Sequence, residues 1–221
     1  MVESKNKDKS LAMMLRRQNY GESDMIVSLL TEDHGQLDCF ARSARRSRKR
    51  FGAGLDYFVL GMATIKASNK KNTLANLTNF DVVEDWSTQI TTTMHRVQLA
   101  TYVNLLVRLS TGQANDPAVF SFMTGALRSI SKASVGDFER LLSKIELGVA
   151  NAAGILDLSA PELHASPDYR DSVFEIATPY SQRDSSNEIC EAQMLKSVYQ
   201  QAFVSLRLHF GDRLPSRPVF S

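Results

Sequence analysis

The most concentrated chemistry in the sequence lies in a basic segment between Cys39 and Asp56. Six cations fall within nine consecutive positions, and no acidic residue lies between Asp38 and Asp56. The six cations are Arg42, Arg45, Arg46, Arg48, Lys49 and Arg50. Like charges at this density repel one another, and a polyanionic partner would offset that repulsion. The segment therefore predicts an interface for a nucleic-acid backbone, with binding driven largely by the release of condensed counterions.

A charge run of this kind is also typical of a solvated loop or a targeting tract. Its setting favours the interface, because strand-like sequence flanks it on both sides and Phe51-Gly52-Ala53-Gly54 closes it. We therefore expect a long loop held on a rigid sheet. Two further cations, Arg16 and Arg17, precede the first predicted turn.

Aromatic side chains near the basic segment are candidates for stacking on bases, which contributes about 1–3 kcal/mol per base. The nearby aromatic residues are Phe40, Phe51, Tyr57 and Phe58. An aromatic residue in a strand is more often part of a core than a stacking surface, so the pattern leaves both roles open. The nucleic-acid-binding residues that we predict are Arg16, Arg17, Arg42, Arg45, Arg46, Arg48, Lys49, Arg50, Phe51 and Tyr57.

Acidic residues and one histidine in the two early turns could act as metal ligands or as an acid/base pair. They are Glu22, Asp24, Glu32, Asp33 and His34. Their spacing matches no HExxH or DxD array, and turns carry acidic residues for ordinary reasons. The sequence has no GxxxxGK(S/T) phosphate loop, and its two cysteines indicate neither a disulfide framework nor a thiolate metal site. We therefore expect a binding protein and not an enzyme, with no catalytic residues, metal or cofactor.

Length and composition fit a globular protein of a reducing cytoplasm. The 221 residues are 43% hydrophobic and carry a net charge of +2. Residues 1–84 hold 14 basic and 10 acidic side chains, whereas residues 85–221 hold 12 and 14, so the positive charge belongs to the first part. No apolar run approaches the roughly 20 residues that span a bilayer. The polar N-terminus lacks the apolar core of a signal peptide, and residues 1–8 are expected to form a disordered tail.

Residues 9–84 carry the pattern of a small β domain. Apolar and polar residues alternate in short runs, and turn residues such as His34-Gly35 separate the runs. The five predicted strands span residues 11–20, 25–30, 36–44, 55–67 and 73–83. Five strands in about 80 residues fit a small barrel, for which an oligonucleotide-binding (OB) fold is the first candidate and an SH3-like barrel the alternative.

From residue 85 the period of the apolar residues changes from two to about 3.6, which predicts a helical domain over 85–221. Asp116 and Pro117 have the types expected for the N-cap and first turn of a helix. Ser185 and Glu188 have the spacing of a capping box ahead of a last helix, which Gly211 ends. Residues 158–186 are predicted to be irregular. The fold class is therefore α+β, with an N-terminal OB-fold β-barrel followed by an all-helical C-terminal domain with an irregular insertion.

Residues 16–58 resemble the N-terminal domain of the bacterial recombination mediator RecO. That family has a YGE-S/A-D turn, an LLT-E-x-G hairpin, an A-R-G-A-R-R run and an F-G-x-x-L-x-x-F segment. The corresponding stretches here are YGESD at 20–24, LLTEDHG at 29–35, ARSARR at 41–46 and FGAGLDYF at 51–58. The C-terminal order of Leu208, His209, Gly211, Leu214, Ser216 and Arg217 is similar to the family ending L-x-H-x-G-x-x-L-x-S-R, and residues 138–142 (FERLL) resemble a family helix.

The resemblance implies binding of single- and double-stranded DNA, annealing of complementary strands, and assistance to the RecA recombinase on DNA coated by single-strand-binding protein. It implies two direct partners, RecR and the acidic C-terminal tail of single-strand-binding protein, and a nucleoid-associated location in the bacterial cytoplasm. The sequence departs from the family pattern in two ways. Ser43 stands where the family usually has glycine, which could stiffen the loop, and residues 158–186 contain no cysteine, so we predict no zinc site there.

Our leading hypothesis from the sequence is a non-enzymatic DNA-repair mediator. Two alternatives remain open. The basic loop could instead dock an acidic peptide, which would make the chain a protein-interaction scaffold. An RNA-binding barrel is also compatible with the sequence, because no feature of it distinguishes a 2′-hydroxyl.

Overall fold

A computed structural model of the chain describes residues 7–51, 55–66, 74–111, 117–155 and 188–220. The chain divides into two compact units, residues 1–132 and 133–221. The change from strands to helices falls at residue 85, as the sequence predicts, whereas the first compact unit continues through the next three helices to Lys132.

The first unit contains a closed five-stranded barrel. Its strands are β1 (Lys7–Tyr20), β2 (Asp24–Thr31), β3 (Gly35–Ala41), β4 (Val59–Lys66) and β5 (Ala75–Asp85). Around the barrel the strand order is β1-β2-β3-β5-β4, and β4 pairs back onto β1. All neighbours are antiparallel except β3 and β5, which are parallel where Cys39 and Phe40 face Ala75 and Asn76. The predicted OB fold is confirmed.

Alternation of apolar residues along each strand fills the barrel with one set of side chains. Gly35 has a φ of +65° and forms the tight turn between β2 and β3 that the sequence predicts. The buried core residues are Ala12, Met14, Met25, Val27, Leu29, Cys39, Ala41, Phe51, Leu55, Val59, Ala63, Ile65, Leu77 and Phe80.

Three predicted strand boundaries are wrong. Lys7 and Asp8, expected in a disordered tail, belong to β1 and pair with Lys66 and Ile65 of β4. The third strand ends at Ala41 and the fourth begins only at Val59. In both cases a nearby residue has a positive φ, +55° at Ser43 and +65° at Phe58, which an extended strand does not allow.

Three helices follow the barrel within the first unit, namely α2 (Ser87–Ile90), α3 (Met94–Ser110) and α4 (Pro117–Lys132). Thr93 caps α3 by accepting a hydrogen bond from the backbone of Arg96. Helix α4 begins at Pro117 as predicted, although Asp116 lies outside the described residues. Arg128 of α4 forms a 2.6 Å ion pair with Glu84 of β5.

Strand β1 has a bulge at the point where helix α3 contacts it. The pairing of β1 with β2 shifts register between Met14 and Arg16. The buried Asn104 of α3 donates a hydrogen bond of 3.0 Å from its amide to the carbonyl of Met14. Beyond the bulge, residues 16–20 are all exposed, so this end of β1 presents polar side chains at the surface.

The second unit contains α5 (Phe138–Ala152) and α6 (Glu188–Phe210). Ser134 and Asp137 form a capping box ahead of α5, and the hydrogen bonds from Ser134 lower the pKa of the Asp137 carboxyl. Gly211, with a φ of +53°, follows α6 as predicted. The predicted irregular insertion at 158–186 and the expected absence of zinc there lie outside the described residues.

A buried ion pair holds the C-terminal segment of this unit. The side chain of Glu146 on α5 is fully buried, and its two carboxylate oxygens accept hydrogen bonds of 2.9 and 3.0 Å from the guanidinium of Arg217. Arg217 also lies over the ring of Phe203, 5.1 Å from its centroid. This ion pair gives a structural reason for the Arg217 that ends the motif of 208–217.

Replacing Gly61 of β4 by alanine should destabilise the barrel by about 1–3 kcal/mol, because the new Cβ would overlap the ring of Phe80 on β5. Gly125 of α4 is the matched control, since nothing lies within 4 Å of a Cβ at that position. Gly125→Ala should stabilise the protein by roughly 1 kcal/mol through helix propensity. Urea unfolding measures both variants, and equal effects would contradict the close packing of Phe80 on Gly61.

Arg217→Ala should lower the free energy of unfolding by about 3 kcal/mol, because it leaves the Glu146 carboxylate buried without its cation. The control is Arg213→Ala, which removes an exposed guanidinium from the same C-terminal segment and should change stability by less than about 0.5 kcal/mol. The same urea experiment compares them. A loss at Arg217 no larger than that at Arg213 would show that the ion pair does not hold the segment.

Candidate nucleic-acid interface

The basic loop, residues 42–51, follows β3 and leads towards β4. The sequence predicts a long loop here, whereas the structure has turns and one helical turn. Residues 42–46 form turns, and α1 (Arg48–Phe51) is a single helical turn. The backbone N–H of Ser47 donates to the carbonyl of Ser43 at 2.9 Å, and that of Phe51 donates to the carbonyl of Ser47 at 3.2 Å. These local hydrogen bonds give the cations defined backbone positions.

The basic loop is docked onto the turn between β1 and β2. The Asp24 carboxylate accepts a hydrogen bond of 2.7 Å from the backbone N–H of Ser43. Arg45 makes two further contacts with the turn: its backbone N–H donates to the carbonyl of Ser23 at 3.0 Å, and its guanidinium donates to the carbonyl of Glu22 at 3.1 Å. Of the acidic residues in the two early turns, Asp24 therefore has a structural role through its carboxylate, and Glu22 contributes a backbone carbonyl.

Ser43 has a φ of +55°, in the left-handed region that glycine adopts without a steric penalty. A non-glycine residue there has its Cβ close to a carbonyl oxygen, at a cost of roughly 1–2 kcal/mol. The glycine expected at this position from the family pattern matches this backbone conformation. Ser43 therefore introduces local strain into the basic loop.

Of the five loop cations whose side chains the structure describes, four form no ion pair with a described carboxylate. Arg46 forms an ion pair of 3.5 Å with Glu22, but the two side chains are 69% and 91% exposed, so solvent screens the pair. Arg50 donates to the hydroxyl of Ser47 and to the carbonyl of Arg42. Among the described residues, no ion pair joins a carboxylate to Arg42, Arg45, Lys49 or Arg50. The side chain of Arg48 lies outside the described part.

Arg16 and Arg17 lie on the exposed end of β1. The guanidinium of Arg17 forms a 3.0 Å ion pair with Asp56 and lies 5.3 Å from the centroid of the Tyr57 ring. The hydroxyl of Tyr57 accepts a hydrogen bond of 3.4 Å from the backbone N–H of Arg17. The structure thus brings Arg17 and Tyr57 together, although 40 positions separate them in sequence.

Phe51, which we predict from the sequence as a nucleic-acid-binding residue, is buried and offers no surface to a nucleic acid. Its side chain is only 1% exposed and belongs to the barrel core. Sequence reasoning missed Tyr20, whose side chain is 56% exposed at the end of β1 and packs edge-to-face on Phe40 with ring centroids 5.7 Å apart. Tyr20 is the first residue of the YGESD stretch, and this position beside a turn is the sequence feature that could predict its exposure.

A pocket of about 450 Å³ opens beside the basic loop. Arg17 of β1 and Arg45 of the loop both line it, together with buried apolar residues of the barrel. The pocket therefore combines two of the predicted binding cations, Arg17 and Arg45, in one concave surface.

The described residues form neither a metal-binding cluster nor a reactive thiol. No group of three or more histidine, cysteine, aspartate or glutamate side chains is placed to hold a metal ion there. Burial in the barrel, with a smaller contribution from the Asp38 carboxylate, raises the pKa of the Cys39 thiol to about 12, so the thiol stays protonated. None of the described helices is long and apolar enough to cross a membrane.

Comparison with known proteins relates the sequence of this chain to one family. Residues 7–86 match the family model described as "Recombination protein O N terminal". The "DNA repair protein RecO" of Anaeromyxobacter dehalogenans (strain 2CP-C) is 32% identical over 150 residues, covering 67% of this chain and 57% of that protein. The proteins of that name from Pelobacter propionicus and Bacillus pumilus are 31% and 27% identical, over 63% of this chain and 56% and 53% of their own length. The chain thus matches less than two thirds of the length of each relative.

Ser43→Gly should stabilise the protein by about 0.5–1 kcal/mol, because relief of the left-handed strain exceeds the extra backbone entropy that glycine loses on folding. No hydrogen bond of the Ser43 side chain occurs among the contacts of the described residues, so the change removes only the hydroxymethyl group. Ser129→Gly in the exposed part of α4 is the matched control and should destabilise by roughly 0.5 kcal/mol. Thermal unfolding compares the two, and a loss of stability in both would contradict the strain at Ser43.

Proposed function

The chain belongs to the RecO family through residues 7–86, and from this premise we propose that it is a DNA-binding recombination mediator in DNA repair. The observation that carries the proposal is the set of four loop cations, Arg42, Arg45, Lys49 and Arg50, that no carboxylate neutralises within the described residues. Their charge is held on a docked loop and not on a flexible tail. Such an arrangement suits an extended polyanion.

Phosphate contacts of this kind position a strand without reading its sequence. The backbone of the basic loop is held by hydrogen bonds to the barrel, so the backbone positions of the cations are set before DNA arrives and little backbone entropy is lost on binding. Single- and double-stranded DNA both present phosphates, and the proposed interface accepts both. Neutralising the charge of one strand lowers the repulsion that a complementary strand would meet, which is the physical basis of the proposed annealing activity.

The finer parts of the proposal follow from the family. The chain would help RecA to load onto DNA covered by single-strand-binding protein, acting without catalysis in the bacterial cytoplasm and nucleoid. RecR and the acidic C-terminal tail of single-strand-binding protein are the proposed protein partners. We assign DNA binding to the domain at 9–84 and propose the helical domain at 85–221 for contacts with partner proteins.

Arg42→Gln together with Lys49→Gln should weaken binding to every DNA sequence alike and make the affinity less sensitive to salt. With about five phosphates neutralised, log affinity falls against log salt concentration with a slope of about −4.5 on duplex DNA and −3.5 on single strands. The double variant should reduce the size of that slope by about 2. Fluorescence anisotropy at several salt concentrations measures it.

The matched control is Arg108→Gln with Arg207→Gln, which removes the same charge from exposed positions of two helices, α3 and α6. This control should leave the slope of log affinity against log salt concentration unchanged. The same proteins are then tested for annealing of complementary oligonucleotides with and without single-strand-binding protein, where only the loop variant should anneal more slowly. A wild-type slope near zero, or equal losses in both double variants, would refute the proposed interface.

A further inference from the structure

Buried residues of the barrel core line part of the pocket beside the basic loop. They are Met25, Phe51 and Leu55, which are 6%, 1% and 9% exposed, and Ala44 of the loop also lines the pocket. Its volume of about 450 Å³ lies within the range of roughly 300–1,000 Å³ that is usual for small-molecule sites. A cavity of this size, in which polar side chains and uncompensated cations lie beside a small apolar area, suits a ligand that has a negative charge and polar groups along the edge of a ring.

Polar groups line the rest of the pocket. Arg17 and Arg45 contribute guanidinium groups, and Asn19 contributes a side-chain amide. Oδ1 of Asp56 accepts hydrogen bonds from the backbone N–H of Tyr57 at 2.7 Å and pairs with Arg17 at 3.0 Å. Among the contacts of the described residues, the second carboxylate oxygen, Oδ2, accepts no hydrogen bond. This oxygen and the Asn19 amide are available to a ligand with matching donors and acceptors.

We propose that this pocket receives one unstacked nucleobase that carries an exocyclic amino group. The inference rests on the proposed function, because the base belongs to a strand whose phosphates lie on the basic loop. The ring contacts the small apolar area that Met25 and Leu55 contribute to the pocket. Arg45 contacts a phosphate next to that base, and Asn19 and Asp56 contact its edge.

The amino group decides which bases fit. A carboxylate accepts a hydrogen bond from the N4 amino group of cytosine, and an asparagine amide pairs with the N6 and N7 atoms of adenine. Thymine has a carbonyl oxygen where cytosine has its amino group. This oxygen and the Asp56 carboxylate are both hydrogen-bond acceptors, so they would repel each other in the pocket. The pocket therefore favours cytosine and adenine over thymine, while the loop cations hold any strand.

The experiment uses the full chain and single strands of 15 nucleotides with equal numbers of phosphates. One is all cytosine, one all thymine, and one is an abasic backbone. The cytosine strand should bind about tenfold more tightly than the abasic strand, since apolar contact and base-edge hydrogen bonds exist only in the first. It should also bind several-fold more tightly than the thymine strand. Fluorescence anisotropy at a fixed salt concentration measures all three.

Two variants assign any base dependence to the pocket. Asn19→Ala removes the exposed amide and should reduce the preference for cytosine over thymine. Ala44→Phe fills the pocket and should bring cytosine and abasic strands to the same affinity. Gln18→Ala, an exposed neighbour on β1, is the matched control and should change neither ratio. Thermal unfolding establishes that each variant is folded, and Asn19→Ala alone decides the outcome if Ala44→Phe does not fold.

Equal affinity of the wild-type chain for cytosine and abasic strands would overturn the pocket inference while leaving the phosphate interface intact. A base dependence that survives in both folded variants would also overturn it and would assign the bases to exposed aromatic rings such as Tyr57. Failure of the proposed function looks different, because the abasic strand itself would then bind without salt dependence.

Discussion

Closure of the barrel is the constraint on which the rest of the first unit depends. β3 pairs with β2 and β5, whereas β4 pairs with β1 and β5, so the two strands consecutive in sequence are not neighbours in the sheet. A tight hairpin joins only adjacent antiparallel strands, and the chain must instead cross one end of the barrel to reach β4. That crossing carries the cations. The position of the basic loop at one end of the barrel therefore follows from the pairing of β3 with β5 instead of β4.

Local patterns in the sequence predict the elements well and their tertiary contacts poorly. Alternation identifies the five strands, Gly35 identifies a turn, and Pro117 and Gly211 mark helix ends, because each of these signals depends on backbone preferences of nearby residues. Phe51 was misassigned because a four-residue helix is too short to show which face is buried. The predicted cations whose side chains the structure describes are exposed or, at Arg50, partly exposed, but the sequence does not predict their contacts.

The contacts that shape the candidate site join residues far apart in the chain. The Arg17 guanidinium reaches Asp56, and the Asp24 carboxylate reaches the backbone of Ser43. No periodicity within a short window encodes such pairs, since they arise only after the barrel closes. The same holds in the second unit, where Glu146 looks like an ordinary polar position of α5 until Arg217 is found beside it.

Burial in the barrel core protects the thiol of Cys39 from oxidation by peroxides. Oxidants react with the thiolate, and a buried thiol that stays protonated gives them almost none. Sulfenic acid would form at Cys39 only in molecules whose barrel has opened. The oxidation state of Cys39 would therefore report whether the barrel has opened.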